Sequence, residues 1–553
     1  MSPLRRTYRR PLLILSAIVA LVLLIACANI ANLLLARATA RRHELSVRVS
    51  LGASRWRIAR QQLVESVLLA SVGATAGLLF AAWGSQALAT LVSTPGRPVV
   101  LDLSLNWRIL GFTAAVTFAT LVVFATAPAL RAMRAEPIDA MKQRDPDGSG
   151  HVPISSGLVV AQVALSLVLV VAAGLFLRTF ERLATVPLGF DGDRVLVATV
   201  NLYRTGIDPA ARLPFYDRLV ERVAAVPGVE HAAASIVTPI GGNSLIDVVN
   251  LPGEAPTMQP FEGGRLSPRA TLVNYVTPQW FAAYGMTIRA GRDLTDRDSA
   301  SAEPVVVVNE SFARRFFPNR NPIGATFAGL TPPGAVPVQK TVVGVVADAI
   351  YDSLRDEPVP AMFAPLRQAH VGVPQHISVS IRSAAGSPTT VAHDVASALT
   401  SVDRDLTFSF RAVSDQVRTS IRQERVIALL SGFFGLLALL IAGIGLYGVT
   451  SYAVSRRRGE MSVRIALGAP PASIIGLVLS RVCRLVAVGV AIGAILSLWA
   501  ARFVSSLLFG VRPHDMPTLF GAVVVLALVG LVAAWLPARR ASRIDPADVL
   551  REI

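Results

Sequence analysis

The sequence predicts an α-helical integral membrane protein of about seven spans with one α/β extracytoplasmic domain. Three observations carry that reading. Only 16% of the 553 residues are charged and 53% are hydrophobic, where a soluble chain carries roughly 25% charged residues. The missing charge is missing in blocks, each long enough to cross a bilayer, which takes about 20 apolar residues. A single polar stretch of about 250 residues, from Arg178 to Arg425, leaves room for one folded domain.

The first uncharged blocks are Pro11–Ala36, Ser66–Gly96 and Ile109–Leu130. They predict spans at about 11–36, 66–92 and 109–130, within a unit covering 1–150. Val152–Leu177 predicts a span at 152–178, and the polar domain follows at 179–425. A last unit, 426–553, holds spans at about 426–452, 474–501 and 516–538. The uncharged run at Leu485–Ala501 is short, so its helix extends back through Ile474–Ser480 and takes in Arg481 and Arg484. Pro11–Ala36 follows RRTYRR in the manner of a signal peptide, but it is too long for a signal core and offers no convincing cleavage site.

The formal net charge is +17, and of 53 basic residues only Lys142 and Lys340 are lysine. The arginines flank spans, so retention beside the membrane accounts for them and a nucleic-acid partner is not expected. Nineteen basic residues fall on the side holding 37–60, 131–144, 456–464 and the C-terminal tail; seven fall on the other. The positive-inside rule puts the first group and the C-terminus in the cytoplasm and the polar domain outside. The N-terminal arginines dissent. Cys27 and Cys483 fall on different spans, which argues for free apolar thiols.

RRHELSVRVSLGAS (41–54) and RRRGEMSVRIALGAP (456–470) are near copies. At a constant offset of 416, Glu44 matches Glu460, Ser46 Ser462, Arg48 Arg464 and Gly52 Gly468. Gly73 and Gly77 match Gly489 and Gly493, and Trp83 matches Trp499, in the same register. The offset then drops to 409, where PALRAMRAEP (128–137) answers PARRASRIDP (537–546). Two three-span units of the same orientation imply a parallel duplication. The paired G-x-x-x-G motifs suit close helix contact.

In the polar region, strands are expected at Val195–Val200, His231–Val237, Pro304–Val308, Thr341–Val346 and Ile377–Ile381. Leu213, Tyr216, Leu219, Val220 and Val223 mark an amphipathic helix over Ala210–Val226. Further helices are expected at ESFARRFF and Thr389–Leu399, and Gly241–Arg269 reads as an insertion or flexible loop.

No residues support an enzyme, a cofactor site or a metal site. GAVPVQKT (334–341) has Gln339 where a phosphate-binding loop needs glycine. Asp293, Asp296 and Asp298 have the wrong spacing for a calcium loop and read as a solvated turn. The spans lack midplane charges, which argues against an ion-coupled transporter. What remains is the repeated loop. Glu44 to Arg48 and Glu460 to Arg464 are acid-before-base pairs at helical spacing, worth about 0.2–0.5 kcal/mol each. Gly52 and Gly468 suit C-caps. Each loop is expected to be a short helix at the cytoplasmic surface, held there by lipid headgroups or offered to a cytoplasmic partner.

At these residues the chain resembles the permeases of the MacB and FtsX superfamily of ABC transporters, and in particular the duplicated orphan permeases of acidobacteria. SGLVVAQVALSLVLVVAAGLFLRTFERLATVPLGFDGDRVL resembles a first span and domain entry. VTPQWFAAYGMTIRAGRDLT and TVVGVVADAIYDSLRDEPVPAMFAPL resemble the periplasmic core domain, and LALLIAGIGLYGVTSYAVSRRRGEMSVRIALGA a second span with its coupling segment. The resemblance implies a permease or mechanotransmission subunit of the bacterial inner membrane, driven by a separate cytoplasmic P-loop ATPase. ATP would enter only through that subunit, docking at Glu44, Arg48, Gly52, Glu460, Arg464 and Gly468. Lipid and a periplasmic or outer-membrane partner are the other expected contacts. The first unit departs from the pattern: it is expected to lack a leading span and a first periplasmic domain. The alternative is a non-transporting, FtsX-like scaffold whose periplasmic domain regulates an envelope partner.

Overall fold

Hydrocarbon offers no hydrogen-bond partners, so apolar runs close their backbone bonds internally as helices. The computed structural model describes residues 3–40, 54–92, 107, 111–118, 154–254, 259–262, 265–330, 336–369, 372–456 and 458–542. In chain order the helices are α1 (Pro3–Ala40), α2 (Arg55–Val92), α3 (Ile154–Ala184), α4 (Arg212–Ala224), α5 (Trp280–Ala283), α6 (Glu310–Phe316), α7 (Ala392–Val402), α8 (Val413–Ser420), α9 (Arg422–Arg456), α10 (Arg458–Ala466), α11 (Pro471–Val504) and α12 (Met516–Ala541). The chain divides into a helical unit, Met1–Glu181 with Glu424–Ile553, and a second unit, Arg182–Gln423.

Among the described residues five helices are long and apolar enough to cross a membrane: Leu12–Asn32 of α1, Ser156–Ala184 of α3, Arg422–Ser455 of α9, α11 and α12. The expected span at 66–92 lies inside α2, which is not among the five, and the one at 109–130 lies mostly outside the described residues. Half of the apolar window of α3 is buried, against 22–28% in the other four, so α3 is the centre of its unit. The reason is visible in the sequence at four-residue spacing. Val159, Val163, Leu167, Val171 and Leu175 form one stripe, buried against Ala442 and Leu446 of α9, Val482 and Val486 of α11, and Leu526 of α12. A second face of α3, with Leu169 and Phe176, packs against Ile18 and Ile25 of α1 and Ala428 and Ala438 of α9. Outward apolar side chains such as Leu436, Ile495 and Phe520 stay exposed, as lipid contact requires.

The second unit is built on a mixed sheet. Its strands are β1 (Val195–Asn201), β2 (Val229–Ser235), β3 (Leu245–Val248), β4 (Phe261–Glu262), β5 (Arg265–Leu266), β6 (Ala270–Val276), β7 (Ile288–Gly291), β8 (Val305–Asn309), β9 (Thr326–Ala328), β10 (Gln339–Val346), β11 (Ala361–Pro365), β12 (His376–Ser383) and β13 (Thr407–Ala412). The order is β13-β1-β12-β2-β6-β11-β8-β10-β7, with β3 on β6 and β9 on β10; β4 and β5 form a separate pair. Pairs β6–β11 and β8–β10 are parallel and the other pairings antiparallel. The stripe read from the sequence buries Tyr216, Leu219 and Val223 of α4 against the sheet. Asn309 ends β8 and caps α6, its side chain accepting the Phe312 N–H at 2.9 Å. The stretch expected as a loop at 241–269 supplies β3, which pairs with β6 from Leu245↔Val273 to Val248↔Ala270. Strand β3 is only four residues long and its burial does not alternate, so it has no pattern of its own and the partner strand decides it.

Candidate functional site

Of the two repeated loops, the second is described; Glu44, Arg48 and Gly52 of the first lie outside the described residues. Helix α9 ends at Arg456 and α10 runs from Arg458 to Ala466. Its C-terminus is a Schellman motif. Gly468 sits at φ +90°, its N–H donates to the Ile465 carbonyl at 2.9 Å, and the Ala469 N–H donates to Arg464 at 3.0 Å. A side chain at 468 would be strained, because the left-handed backbone crowds a Cβ. Pro470 and Pro471 then stop the turn and start α11.

The helix is amphipathic in a useful way. Met461 and Ser462 are buried, and Met461 and Ile465 pack with Val454, Ile474, Val478, Ala538 and Ala541 at the ends of α9, α11 and α12. The opposite face carries Glu460 and Arg464, joined by a 2.8 Å ion pair with each side chain about half exposed. Beside them stand Val463 at 48% and Leu467 at 83% exposure. Such an exposed i, i+4 pair contributes about 0.3–0.5 kcal/mol, whereas covering a leucine is worth about 1.5–3 kcal/mol. The apolar pair therefore outweighs the charges as a source of contact energy, and the charges orient. Sequence reading named Glu460, Arg464 and Gly468 and passed over Val463 and Leu467. The signal was present: both fall on the face opposite Met461 and Ile465.

The G-x-x-x-G motif of α11 lies against α3. A Cβ at Gly489 would stand 2.7 Å from Val163 Cβ and 3.0 Å from the Val160 carbonyl. One at Gly493 would stand 2.8 Å from the Ala164 carbonyl and 3.0 Å from Leu167 Cβ. At Gly73 and Gly77 no atom of the described residues lies within 4 Å, so the close contact expected there is not made among them. Those glycines sit on an α2 whose described side chains are largely exposed. On the far end of the helical unit Asp515 caps α12: its carboxylate accepts the Thr518 N–H at 3.1 Å and hydrogen bonds from the Thr518 hydroxyl and the Arg178 guanidinium. Desolvation pushes that carboxyl up, but the hydrogen bonds from Thr518 and Arg178 prevail and hold it below its ordinary value.

In the sheet unit Lys340, the residue of the phosphate-loop-like stretch, is buried with Asp247 at 2.9 Å. Asp298 receives both terminal nitrogens of Arg292, at 2.9 and 2.8 Å, and the Thr295 N–H at 2.8 Å. The acidic turn at 293–298 is thus closed on an arginine. A cleft of about 310 Å³ has Ile246, Leu272, Ile350 and Val359 in its lining and Arg315, Asp352, Asp356 and Glu357 among its polar groups.

Comparison with known families and proteins gives a consistent pattern. Residues 16–137 and 432–546 match the FtsX-like permease C-terminal family, and residues 156–398 match the MacB-like periplasmic core domain. The chain is 26% identical over 298 residues to the macrolide export ATP-binding/permease protein MacB of Mannheimia succiniciproducens, covering 52% of this chain and 44% of that one. It is 27% identical over 286 residues to a probable export ATP-binding/permease protein of Pseudomonas fluorescens, covering 50% and 42%. The match thus spans less than half the length of these curated relatives. The crystal structure of the periplasmic region of MacB from Actinobacillus actinomycetemcomitans aligns with 42% of this chain and 94% of its own, at 18% identity and a TM-score of 0.28.

Proposed function

We propose that this chain is a MacB/FtsX-like permease of an ABC-type system, an inner-membrane protein with a periplasmic domain that acts as a mechanotransmission subunit driven by a separate cytoplasmic ATPase; its two FtsX-like segments and its MacB-like periplasmic core support the reading. The observation that carries the proposal is α10. It is a capped helix, seated on the bundle by Met461 and Ile465, that holds out Val463, Leu467 and the Glu460–Arg464 pair. A helix with one face built into the bundle and an exposed apolar face beside an ion pair suits a groove on a rigid partner. Its relatives are named ATP-binding/permease proteins, and the ATP-binding function is the one this reading assigns to a second subunit. The loops and the C-terminus then face the cytoplasm. The two FtsX-like segments also support reading it as a duplicated permease.

The test is reconstitution with the cytoplasmic P-loop ATPases of the source genome, each in turn. The purified chain alone hydrolyses no ATP, and it stimulates the ATPase. Glu460→Arg weakens binding several-fold, and Leu467→Ala weakens it more. An affinity unchanged by both substitutions removes α10 from the interface; no stimulation by the intact chain favours the scaffold reading instead.

A further inference from the structure

Where α1, α3 and α9 meet, the helical unit buries a group of neutral polar side chains. Gln162 Nε2 donates to the Ile441 carbonyl at 3.0 Å, and Asn29 Nδ2 donates to the same carbonyl at 3.5 Å. One acceptor therefore serves two amides, and the second bond lies at the limit of a hydrogen bond. Both amides are pressed onto Gly445, one turn on from Ile441. A Cβ there would stand 2.6 Å from Gln162 Nε2 and 2.7 Å from Asn29 Oδ1. Only glycine leaves room for this arrangement.

The rest of the group is unspent. Among the described residues, Asn29 Oδ1, Gln162 Oε1, both polar atoms of Asn32 and the Ser166 hydroxyl have no hydrogen-bond partner. All four residues are more than nine-tenths buried. Asn32 lies one turn from Asn29 on α1, and Ser166 one turn from Gln162 on α3. The three unspent acceptor oxygens, Asn29 Oδ1, Gln162 Oε1 and Asn32 Oδ1, are matched in number by three donor hydrogens, two on the Asn32 amide and one on the Ser166 hydroxyl. Polar groups left unpaired in a membrane interior are costly, so a set that balances internally has a reason to find a second packing. The neighbouring surfaces permit it. Gly435 of α9 lies against Ala173 and Leu169 of α3, and Gly489 and Gly493 of α11 lie against the same helix, so at these three points α3 meets glycine backbone in place of a side chain. The chain passes between the two units at 181–182 and 423–424, beside the ends of α3 and α9.

We propose that this amide group is a two-position clasp: Ile441 holds Asn29 and Gln162 in one packing of α3 on α9, and Asn32 and Ser166 hold them in a second, shifted along the helices. It selects between two registers through neutral amides and a hydroxyl, with no titrating group among its members.

The test uses the full chain in lipid nanodiscs, spin-labelled at the exposed positions Leu177 and Ile444 after replacement of Cys27 and Cys483 by alanine, and reads the distance distribution. Two populations are expected. The double substitution Asn32→Leu with Ser166→Ala removes groups used only in the second packing, and shifts the ratio roughly tenfold toward the first. Gly445→Ala crowds the clasp at Ile441 and shifts it the other way, which keeps the test decisive if the double variant does not fold. A single distance, the same in the unsubstituted protein and the variants, overturns the proposal and leaves the group as a static, water-bridged contact. Populations that move in the opposite sense also overturn it.

Discussion

Replacing Gly493 by alanine adds one methyl group where α11 crosses α3. That methyl would lie 2.8 Å from the Ala164 carbonyl oxygen and 3.0 Å from both Ala164 Cα and Leu167 Cβ. Carbon contacts prefer about 3.5–4.0 Å, so the helices must part by several tenths of an ångström. Two of the three opposing atoms are backbone, which cannot rotate away. Overpacking of this kind costs roughly 1–3 kcal/mol. Alanine also gains about 1 kcal/mol of helix propensity over glycine, which masks part of the loss. Gly476→Ala, on the same helix, isolates the two effects, since no described atom lies within 4 Å of its Cβ position. The difference between the variants therefore reports the clash alone and is expected near 1–3 kcal/mol, with Gly493→Ala the less stable. Unfolding of the detergent-solubilised protein by increasing SDS fraction, followed by tryptophan fluorescence, measures it. Equal shifts for both variants would mean that α3 and α11 are not in close contact, and would refute the reasoning.

Two further outcomes are expected in the sheet unit. Lys340→Met leaves the buried Asp247 carboxylate without its cation and costs about 3–5 kcal/mol; adding Asp247→Leu recovers part of that loss, and a double variant no better than the single one would show that the pair is not coupled. Burial, with the nearby Asp247 charge, pushes the Tyr275 hydroxyl up to about 12 from an unfolded value of about 10. Between these values only the unfolded chain ionises at this position, so stability present below pH 10 is lost as pH rises toward 12. Tyr275→Phe flattens that slope by up to a few kcal/mol across the window in thermal unfolding scans, while Tyr216, Tyr284 and Tyr351, also raised by burial, keep the rest; an unchanged slope counts against the assignment.

Local and periodic features of this chain were legible in the sequence, and pairings across long separations were not. Strand β1, helix α4 and the order of β8 and α6 could be read because each rests on a pattern of a few residues: a short valine-rich run, a stripe at helical spacing, and a buried valine run followed by a helical segment. The Gly468 turn was readable for the same reason, since its bonds close within five residues. By contrast β3 pairs with β6, Asp247 with Lys340, and Gln162 with the Ile441 carbonyl across 279 residues. Nothing in the flanking sequence of either partner marks the other. The charges of the spans stand near their ends, and the buried amides of α1 and α3 carry no charge to mark them. Yet in hydrocarbon a neutral amide is the more serviceable switch: it commits several hydrogen bonds without the cost of burying an ion. A carboxylate at residue 162 would have needed a proton or a cation to stay there, and the register of α3 would then follow pH. In the proposed clasp Gln162 needs neither, because its amide is neutral when it donates to the Ile441 carbonyl.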